Sequence, residues 1–344
     1  MRHVNIPIFI PHLGCPNQCI FCNQRHISGK VEFREADVEG QINQVLSTVS
    51  NDDFCEIAFF GGSFTGIDKN LMIRLLDTAQ KYVNLGKVNG IRMSTRPDYI
   101  SDDVIDILKK YAISYVELGV QTMSDKVLSY IKRGHTVADT QNAVKLLNEA
   151  KIPFVGQMMI GLPYATIDDE IKCAEAICKF GASGSRIYPT LVFSNTDLET
   201  ITKSGEYIPL SVDEAIKRSA IVLRVFYNNN VPCFRIGLCD SDNLHSSETY
   251  VAGPNEPSIG EMVKSRMYFD IIAEEILKQS KVLFGKCLII ECSKGKTSQV
   301  IGNKRKNILE LKEHFNIKDI KVIENKSLVD FDIKIKVKEE NLCV

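Results

Sequence analysis

Short apolar runs alternate with longer amphipathic stretches between Asn5 and about Leu238. The runs are rich in β-branched and aromatic residues and predict strands, whereas the stretches repeat apolar residues every three or four positions and predict helices. The six predicted strands are IPIFI, EIAFFGG, GIRMSTR, SYVELGVQ, FVGQMMIG and SRIYPTLV. The helices between them include EADVEGQINQVLSTVS, NLMIRLLDTAQKYV, SDDVIDILKKYA and TIDDEIKCAEAICKF. This alternation indicates an α/β fold with a parallel sheet.

The predicted strands have one polar face. In SYVELGVQ, Glu117, Gly119 and Gln121 alternate with apolar residues, and in SRIYPTLV, Arg186 and Tyr188 share a face. Strands covered by helices on both sides read as nearly continuous apolar runs. The pattern therefore favours a curved sheet around a polar cavity, a partial (β/α)6 barrel, over an open doubly wound sheet.

The pattern changes towards the C-terminus. A helix near Val212 to Asn228 and a strand near Pro232 to Leu238 precede a segment rich in turn-forming residues. A helix from about Glu261 to Gln279 follows, and then a strand, a helix and two strands. We predict a core at 1–240, a connecting segment and helix at 241–280, and a small α/β domain at 281–344. Residues 248–263 suit a loop that closes over the barrel mouth.

Composition is that of an ordinary globular protein, with a net charge of −1. No apolar run is long enough to span a membrane and the N-terminus does not resemble a secretory signal, so we expect a cytoplasmic protein. Charge is uneven, since KGKTSQVIGNKRK, from Lys294 to Lys306, contains basic residues and no acid. Such a segment is a candidate contact for nucleic acid.

Cys15, Cys19 and Cys22 lie together in GCPNQCIFCNQ, directly after the first predicted strand. The other cysteines of the chain, 11 in all, are scattered and do not form a disulfide pattern. With His26 the three could complete a Cys3His zinc site. Alternatively they could hold a 4Fe-4S cluster with one iron left open, since such clusters normally take four ligands.

Polar groups at the ends of later strands favour the cluster. Active sites of β/α barrels gather at the C-terminal ends of the strands. There the sequence places GGSF (61–64), STRPD (94–98), Gln121 and RIYPT (186–190). A structural zinc site would not need them.

These motifs carry a family resemblance. The spacing Cys-x3-Cys-x-aromatic-Cys, with Phe21 before the last cysteine, and the Gly-Gly on the second strand resemble the radical S-adenosylmethionine (SAM) superfamily. FFGGSFTG, STRPDYI, VELGVQTM, KRGHT and RIYPTLV are similar to the radical core of the Elongator catalytic subunit, which modifies tRNA wobble uridine. The likeness covers roughly residues 5 to 195.

The resemblance implies two cofactors, a 4Fe-4S cluster on the three cysteines and SAM. The methionine portion of SAM would bind the open iron, and one electron would cleave the sulfonium to a 5′-deoxyadenosyl radical. Gly61 and Gly62 would leave room for SAM, and Arg96 or Arg133 would pair with its carboxylate. His135, in KRGHT, could belong to the site or could simply cap the helix that follows it. The cofactor-binding candidates are Phe21, Gly61, Gly62, Ser63, Ser94, Arg96, Glu117, Gln121, Arg133 and Tyr188. Catalytic residues beyond the cluster are not predicted.

The segment after the radical core departs from the Elongator subunit. Its roughly 150 residues show no acetyl-CoA-binding pattern, so the resemblance covers the radical step only. TSQVIGNKRKNILEL instead resembles the core of a KH RNA-binding module, although the second glycine of the loop is missing. Lys304, Arg305 and Lys306 are the candidate phosphate contacts, and a solvated helix end is the alternative.

Together these features predict a radical SAM enzyme that modifies RNA, with tRNA as the expected substrate, as a transferase or oxidoreductase. A low-potential flavodoxin or ferredoxin is the electron donor implied by the resemblance. Two alternatives remain open at this point: a radical SAM enzyme with a small-molecule substrate such as a porphyrinogen, and a non-catalytic zinc protein that binds RNA.

Overall fold

The computed structural model describes residues 2–10, 13, 15, 19–23, 33–50, 52–238, 246, 248–279 and 283–337. The chain divides into two compact units, one formed by residues 1–211 and 225–255 and the other by residues 212–224 and 256–344. No helix in these described stretches is both long and apolar enough to cross a bilayer.

The first unit is built on a parallel sheet of seven strands. In chain order and in spatial order these are β1 (His3–Phe9), β2 (Phe54–Phe60), β3 (Gly90–Thr95), β4 (Ile113–Gln121), β5 (Phe154–Ile160), β6 (Gly184–Pro189) and β8 (Cys233–Ile236). Right-handed crossovers between strands in sequential order place the connecting helices on one side of the sheet. The other side is therefore left free to enclose a cavity.

Helices occupy most of the connections in this unit. They are α1 (Val38–Leu46), α2 (Lys69–Asn84), α3 (Asp102–Leu108), α4 (Asp125–Tyr130), α5 (Val137–Glu149), α6 (Ile167–Lys179) and α7 (Asp197–Lys203). Thr136 and Thr166 open α5 and α6 with capping boxes completed by Asp139 and Asp169. Each cap contributes about 1 kcal/mol and fixes where the helix begins.

Side chains that meet across the sheet show its curvature. Arg186 on β6 reaches Glu117 on β4 at 2.6 Å, and its guanidinium lies 6.0 Å from the ring centroid of Phe60 at the end of β2. In a flat sheet, strands four places apart are too distant for such contacts. The sheet is a curled half-barrel, as expected, and β8 adds a seventh strand to the six predicted.

The two faces of β4 match the alternation in the sequence. Val116, Leu118 and Val120 are completely buried on the helix-covered side. Glu117, on the concave side, is equally buried but takes part in ion pairs with arginines of neighbouring strands. A buried carboxylate is tolerated only when it is paired in this way.

A short hairpin follows β6. Strand β7 (Val192–Phe193) pairs antiparallel with β9 (Tyr250–Ala252), so part of the 248–263 segment is joined to the chain after β6. Its shielding role stays a prediction.

The second unit has a three-stranded sheet in the order β11 (Asp319–Glu324), β10 (Cys287–Cys292), β12 (Ile333–Val337). Strand β10 runs parallel to β11 and antiparallel to β12, and α10 (Thr297–Ile301) and α11 (Lys306–His314) lie between β10 and β11 in the chain. The single helix predicted from residue 297 to 316 is divided because Gly302, with φ of +79°, ends α10.

Two more helices complete the description, α8 (Val212–Asn228) and α9 (Ile259–Lys278). Helix α9 differs from its predicted role as part of a connecting segment. Tyr268, Ile272 and Ile276 on α9 share one buried cluster with Leu288 and Ile290 of β10. The domain boundary expected near residue 281 therefore lies inside the second unit, which already includes residue 256.

Candidate active site

The cysteine loop is anchored to the first unit by backbone and apolar contacts. Ile20 donates its N–H to the carbonyl of Ile131 at 3.1 Å and accepts from Leu198 at 2.8 Å, and its side chain is buried. Phe21 packs against the buried apolar cluster to which Ile20 belongs. Cys19 is buried and Cys22, whose N–H bonds the Cys19 carbonyl at 3.0 Å, is half-buried. The residues between the cysteines therefore position the loop at the C-terminal edge of the sheet.

The glycines after β2 make room for chain atoms. A Cβ on Gly61 would lie 2.6 Å from the Phe9 ring, and the φ of Gly61 is +104°. A Cβ on Gly62 would lie 2.6 Å from the Leu13 carbonyl oxygen. Both positions exclude side chains, but the space they leave is used by β1 and the loop entering the cysteines. The predicted contact of these glycines with SAM stays a prediction.

Ser63 follows these glycines and lies against the first cysteine. Its Oγ is 3.5 Å from Sγ of Cys15, and the residue is almost completely buried. This contact links the second strand end to the cysteine loop.

Arg133 binds the loop from the other side. Its Nη1 donates to Sγ of Cys19 at 3.5 Å and its Nη2 to the Gly119 carbonyl at 3.2 Å. The side chain is buried, and its Nε has no partner among the residues described. The predicted carboxylate ligand is therefore already in contact with a cysteine sulfur.

Arg96 is the second buried cation here, with 1% of its surface exposed. Its Nε and Nη2 form a bidentate pair with Asp98 at 2.9 and 2.7 Å, while Nη1 is buried without a partner in the described chain. Burial acts to lower the pKa of Arg96, but Asp98 and the nearby Cys19 and Cys15 raise it above its usual value. A permanently charged guanidinium with a spare donor thus lies near two of the cysteines.

His135 completes this buried group. Burial and the positive charge of Arg133 lower the pKa of His135 to about 4, so the ring is neutral at pH 7. Apart from an approach to the Val120 backbone, neither ring nitrogen has a partner in the parts of the chain that are described. His135 is not the N-cap residue of α5, because Thr136 occupies that position.

Glu117 anchors an ion network on the concave face. Its Oε1 accepts from Arg92 at 2.7 Å and Arg186 at 2.6 Å, and its Oε2 accepts from Gln157 at 2.7 Å and, more weakly, from Ser94 at 3.5 Å. These four donors use the acceptor positions of the carboxylate. Glu117 thus holds the side chains of three neighbouring strands together, and the cofactor contact predicted for it stays a prediction.

Tyr188 and Gln121 lie at the ends of β6 and β4. The Tyr188 hydroxyl accepts from Arg186 at 3.2 Å, and burial raises the pKa of Tyr188. Gln121 has a φ of +64° and follows an irregularity in the pairing of β4 with β5. Strain of this kind, about 1–3 kcal/mol, is often found at functional sites. Gln121 is half-buried, and its predicted contact with SAM stays a prediction.

The chemistry of this group fits an iron-sulfur cluster. Thiolates are the ligands such clusters use, and the two buried guanidiniums would compensate the negative charge of a cluster and its thiolates. Within the described residues, no three metal-ligating side chains converge as a closed site. His26, the alternative zinc ligand, lies outside the described residues.

The basic loop of the second unit is a sharply turned segment. Lys304 and Arg305 have φ of +49° and +63°, and Lys304, Arg305 and Lys306 are exposed. The Asn307 amide fixes the turn by donating to Ser265 and to the carbonyls of Gln299 and Val300. Lys306 is 3.9 Å from Asp213 and Glu310, so it is partly neutralised.

Some residues of the network were not singled out from the sequence. Arg92 bridges Glu56 and Glu117, and Asp98 holds Arg96. The alternation of Arg92, Ser94 and Arg96 in GIRMSTR was a usable signal, because it places all three on the face that carries Glu117. Asn307 gave no such signal.

Comparison with known proteins covers most of the chain. The family model of the radical SAM superfamily matches residues 9–177, and that of the radical SAM C-terminal domain matches residues 182–268. An uncharacterized protein of Methanocaldococcus jannaschii is 30% identical over 61% of this chain and 68% of its own length.

Two relatives with tRNA-linked or Elongator names match over smaller parts of their length. The tRNA uridine(34) acetyltransferase of M. jannaschii is 37% identical over 41% of this chain and 27% of its own length. Elongator complex protein 3 of Saccharomyces cerevisiae is 28% identical over 54% of this chain and 37% of its own. The chain therefore spans well under half of the length of each of these two proteins.

Among solved structures, the archaeal Elp3 of Methanocaldococcus infernus aligns with a TM-score of 0.60 at 22% identity, covering 77% of this chain and 62% of that one. It shares the half-barrel fold. The two family models, the cysteine loop at the end of β1 and the fold agree on one protein family. The chain belongs to the radical SAM superfamily, whose cofactors are a 4Fe-4S cluster and S-adenosylmethionine.

Proposed function

We propose that this protein uses radical SAM chemistry to modify RNA, with tRNA as the substrate class, and that Cys15, Cys19 and Cys22 hold its cluster. When bound, the cluster and SAM supply a 5′-deoxyadenosyl radical. The observation that carries the site assignment is the burial of Arg96 and Arg133 beside the cysteines, with Arg133 donating to Sγ of Cys19. Buried cations of this kind need anionic partners.

The free donors suggest how SAM is oriented. Arg96 has one unpartnered buried nitrogen, Nη1, because Asp98 occupies the other two. A carboxylate that reached Nη1 would make a charge-assisted hydrogen bond. We therefore assign the carboxylate of SAM to Arg96 and the cysteine sulfur to Arg133. Gln121 and Tyr188, near the ends of β4 and β6 on either side of β5, remain candidates for the ribose and adenine.

Two features support RNA as the substrate. The relatives that this chain matches include proteins named for tRNA uridine 34 and for Elongator. The second unit presents Lys304 and Arg305 on a turn between two helices, within the strand–helix–helix–strand order that a KH-like module would have. Basic side chains fixed on such a turn can contact the phosphate backbone.

The reaction class follows from the same proposal. The protein would be a transferase or an oxidoreductase, depending on whether the substrate radical is joined to a second group. A flavodoxin or ferredoxin of low potential would supply the electron. The chain spans only 27% of the tRNA uridine(34) acetyltransferase and 37% of Elongator complex protein 3, so acetyl transfer is not included.

The test combines the protein, reconstituted with iron and sulfide under argon, with SAM, dithionite and unmodified bulk tRNA. Digestion to nucleosides and mass spectrometry should reveal a new nucleoside, which the variant Cys19→Ala does not form. Formation of 5′-deoxyadenosine without any change in the tRNA, and without salt-sensitive tRNA binding, would refute the RNA substrate and favour a small molecule.

A further inference from the structure

A second pocket opens at the N-terminal ends of the strands, at the edge opposite the one where the cysteine loop leaves β1. Its volume is about 580 Å³, within the range of small-molecule sites. It is lined by residues of β1, β2, β3, β4, β6 and β8, all in the first unit. The radical chemistry proposed above does not use this pocket.

Aromatic rings form its walls. Phe54 and Phe234 keep 39% and 45% of their surface exposed, although large apolar residues are normally covered. Tyr115 stands edge-on to Phe234 with 6.0 Å between ring centroids. The Phe234 ring lies on Gly184, where a Cβ would come within 2.5 Å of it. The rings are thus held in place and present faces on which a planar ligand can stack.

The floor carries polar atoms without partners. Asn5 and Glu56 are directly opposite each other on β1 and β2. Oδ1 of Asn5, Oε1 of Glu56 and Nε of Arg92 are shielded from solvent and have no hydrogen-bond partner among the described residues. Because all three residues line the pocket, a small rotation of their side chains would turn two adjacent acceptors and one donor towards a ligand and relieve the unfavourable burial of these atoms.

The charged groups around the floor are three guanidiniums and two carboxylates. The Glu56 carboxylate pairs with Arg92 at 3.1 Å and lies 2.6 Å from Nε2 of His3, and the Arg92 guanidinium also pairs with Glu117, which holds Arg186. Arg235 lines the pocket as well, so no excess negative charge is left for a metal ion or an amine. A planar ligand that donates two N–H groups and accepts one hydrogen bond fits better.

We propose that this pocket binds a guanine base, either of a free nucleotide or of an RNA strand. The Watson–Crick edge of guanine carries two adjacent N–H donors and a carbonyl acceptor, which match Glu56, Asn5 and Arg92. Adenine and cytosine present one donor group on that edge, and uracil one donor between two acceptors. Stacking on Phe54 and Phe234 would hold the ring, as aromatic side chains do for unstacked bases.

The test is calorimetric titration of the full-length protein with the 5′-monophosphates of guanosine, inosine, adenosine, cytidine and uridine. GMP should bind at least tenfold more tightly than the others, including IMP, which lacks the exocyclic amino donor. Phe234→Ala and Phe54→Ala should weaken GMP binding about tenfold, whereas Leu85→Ala, an exposed residue outside the pocket, should not.

A second variant keeps the test informative if an aromatic change disturbs the fold. Asn5→Ala should narrow the preference for GMP over IMP while circular dichroism stays unchanged. Short oligoribonucleotides with and without one guanosine identify the source: tighter binding of the guanosine-containing strand than of GMP indicates RNA, and binding of GMP alone indicates a free nucleotide. Absence of GMP binding, equal binding of AMP, or equal effects of Phe234→Ala and Leu85→Ala would overturn the proposal.

Discussion

Arg133 donates a hydrogen bond from Nη1 to Sγ of Cys19 across 3.5 Å. The contact depends on Gly119, because a Cβ there would lie 2.6 Å from Nη2 of Arg133. The central strand of the half-barrel, the segment before α5 and the cysteine loop are therefore joined by one side chain. A guanidinium in this place stabilises negative charge on the sulfur.

Replacing Arg133 should change the redox properties of the cluster. Hydrogen bonds to cluster sulfurs favour the reduced, more negative state, so Arg133→Gln should lower the reduction potential. Losing about 1.4 kcal/mol of stabilisation of the reduced state would lower the reduction potential by roughly 60 mV for a one-electron couple. Redox titration followed by electron paramagnetic resonance, on samples of equal iron content, measures the shift. Arg74→Gln, which removes an exposed ion pair with Glu35, is the control, and equal potentials in both variants would contradict this role.

Glu117→Gln should destabilise the first unit. The carboxylate balances Arg92 and Arg186 inside the half-barrel and is completely buried. Removing one member of a buried ion network leaves charge uncompensated and costs about 3–5 kcal/mol. Urea unfolding should show a lower midpoint. The matched change Glu39→Gln breaks an exposed pair with Lys81 and should cost less than about 1 kcal/mol. Similar losses of unfolding free energy in the two variants would show that the buried ion network contributes little to stability.

His135 should make stability depend on pH between 7 and 5. Because its pKa is about 4 in the folded chain and about 6.5 when unfolded, only the unfolded state gains a proton as the pH falls through this range. Stability is therefore lost on acidification, by about 2 kcal/mol between pH 7 and pH 5. His135→Gln should remove that part of the dependence in urea titrations, whereas the exposed His314→Gln should leave it unchanged. A His135→Gln protein with the wild-type slope would rule out the buried neutral ring.

The conformation of the turn at Lys304 and Arg305 should lower the stability of the folded chain, while the two side chains contribute to RNA binding. Both residues adopt the left-handed conformation, which costs side-chain-bearing residues about 1–2 kcal/mol each. Glycine at either position should raise the free energy of unfolding and weaken RNA binding. Filter binding across salt concentrations should show the slope falling by about 0.7 per lost phosphate contact to a single strand. Lys87→Gln, in the first unit, should not change it. Unchanged RNA affinity in the glycine variants would remove this loop from the interface.

The sequence predicted the half-barrel because its cause is local. Alternation in SYVELGVQ marks Glu117 as facing the cavity, and Thr or Asp caps mark helix starts. The role of Glu117 could not be read in the same way, because its partners Arg92, Gln157 and Arg186 come from three other strands. The helix break at Gly302 was missed since apolar periodicity continues through it. The packing of α9 against strands that come later in the chain could not be read from the sequence, because it depends on residues far from it in sequence.

The most direct test of the account is reductive cleavage of SAM by the reconstituted protein. Iron-loaded protein under argon, given SAM and dithionite, should release 5′-deoxyadenosine, measured by liquid chromatography. Cys15→Ala, Cys19→Ala and Cys22→Ala should each abolish the product, while Cys178→Ala, a half-buried cysteine on α6, should retain it. Absence of 5′-deoxyadenosine from a fully loaded protein, or its undiminished release by the Cys19→Ala variant, would contradict the assignment of these cysteines.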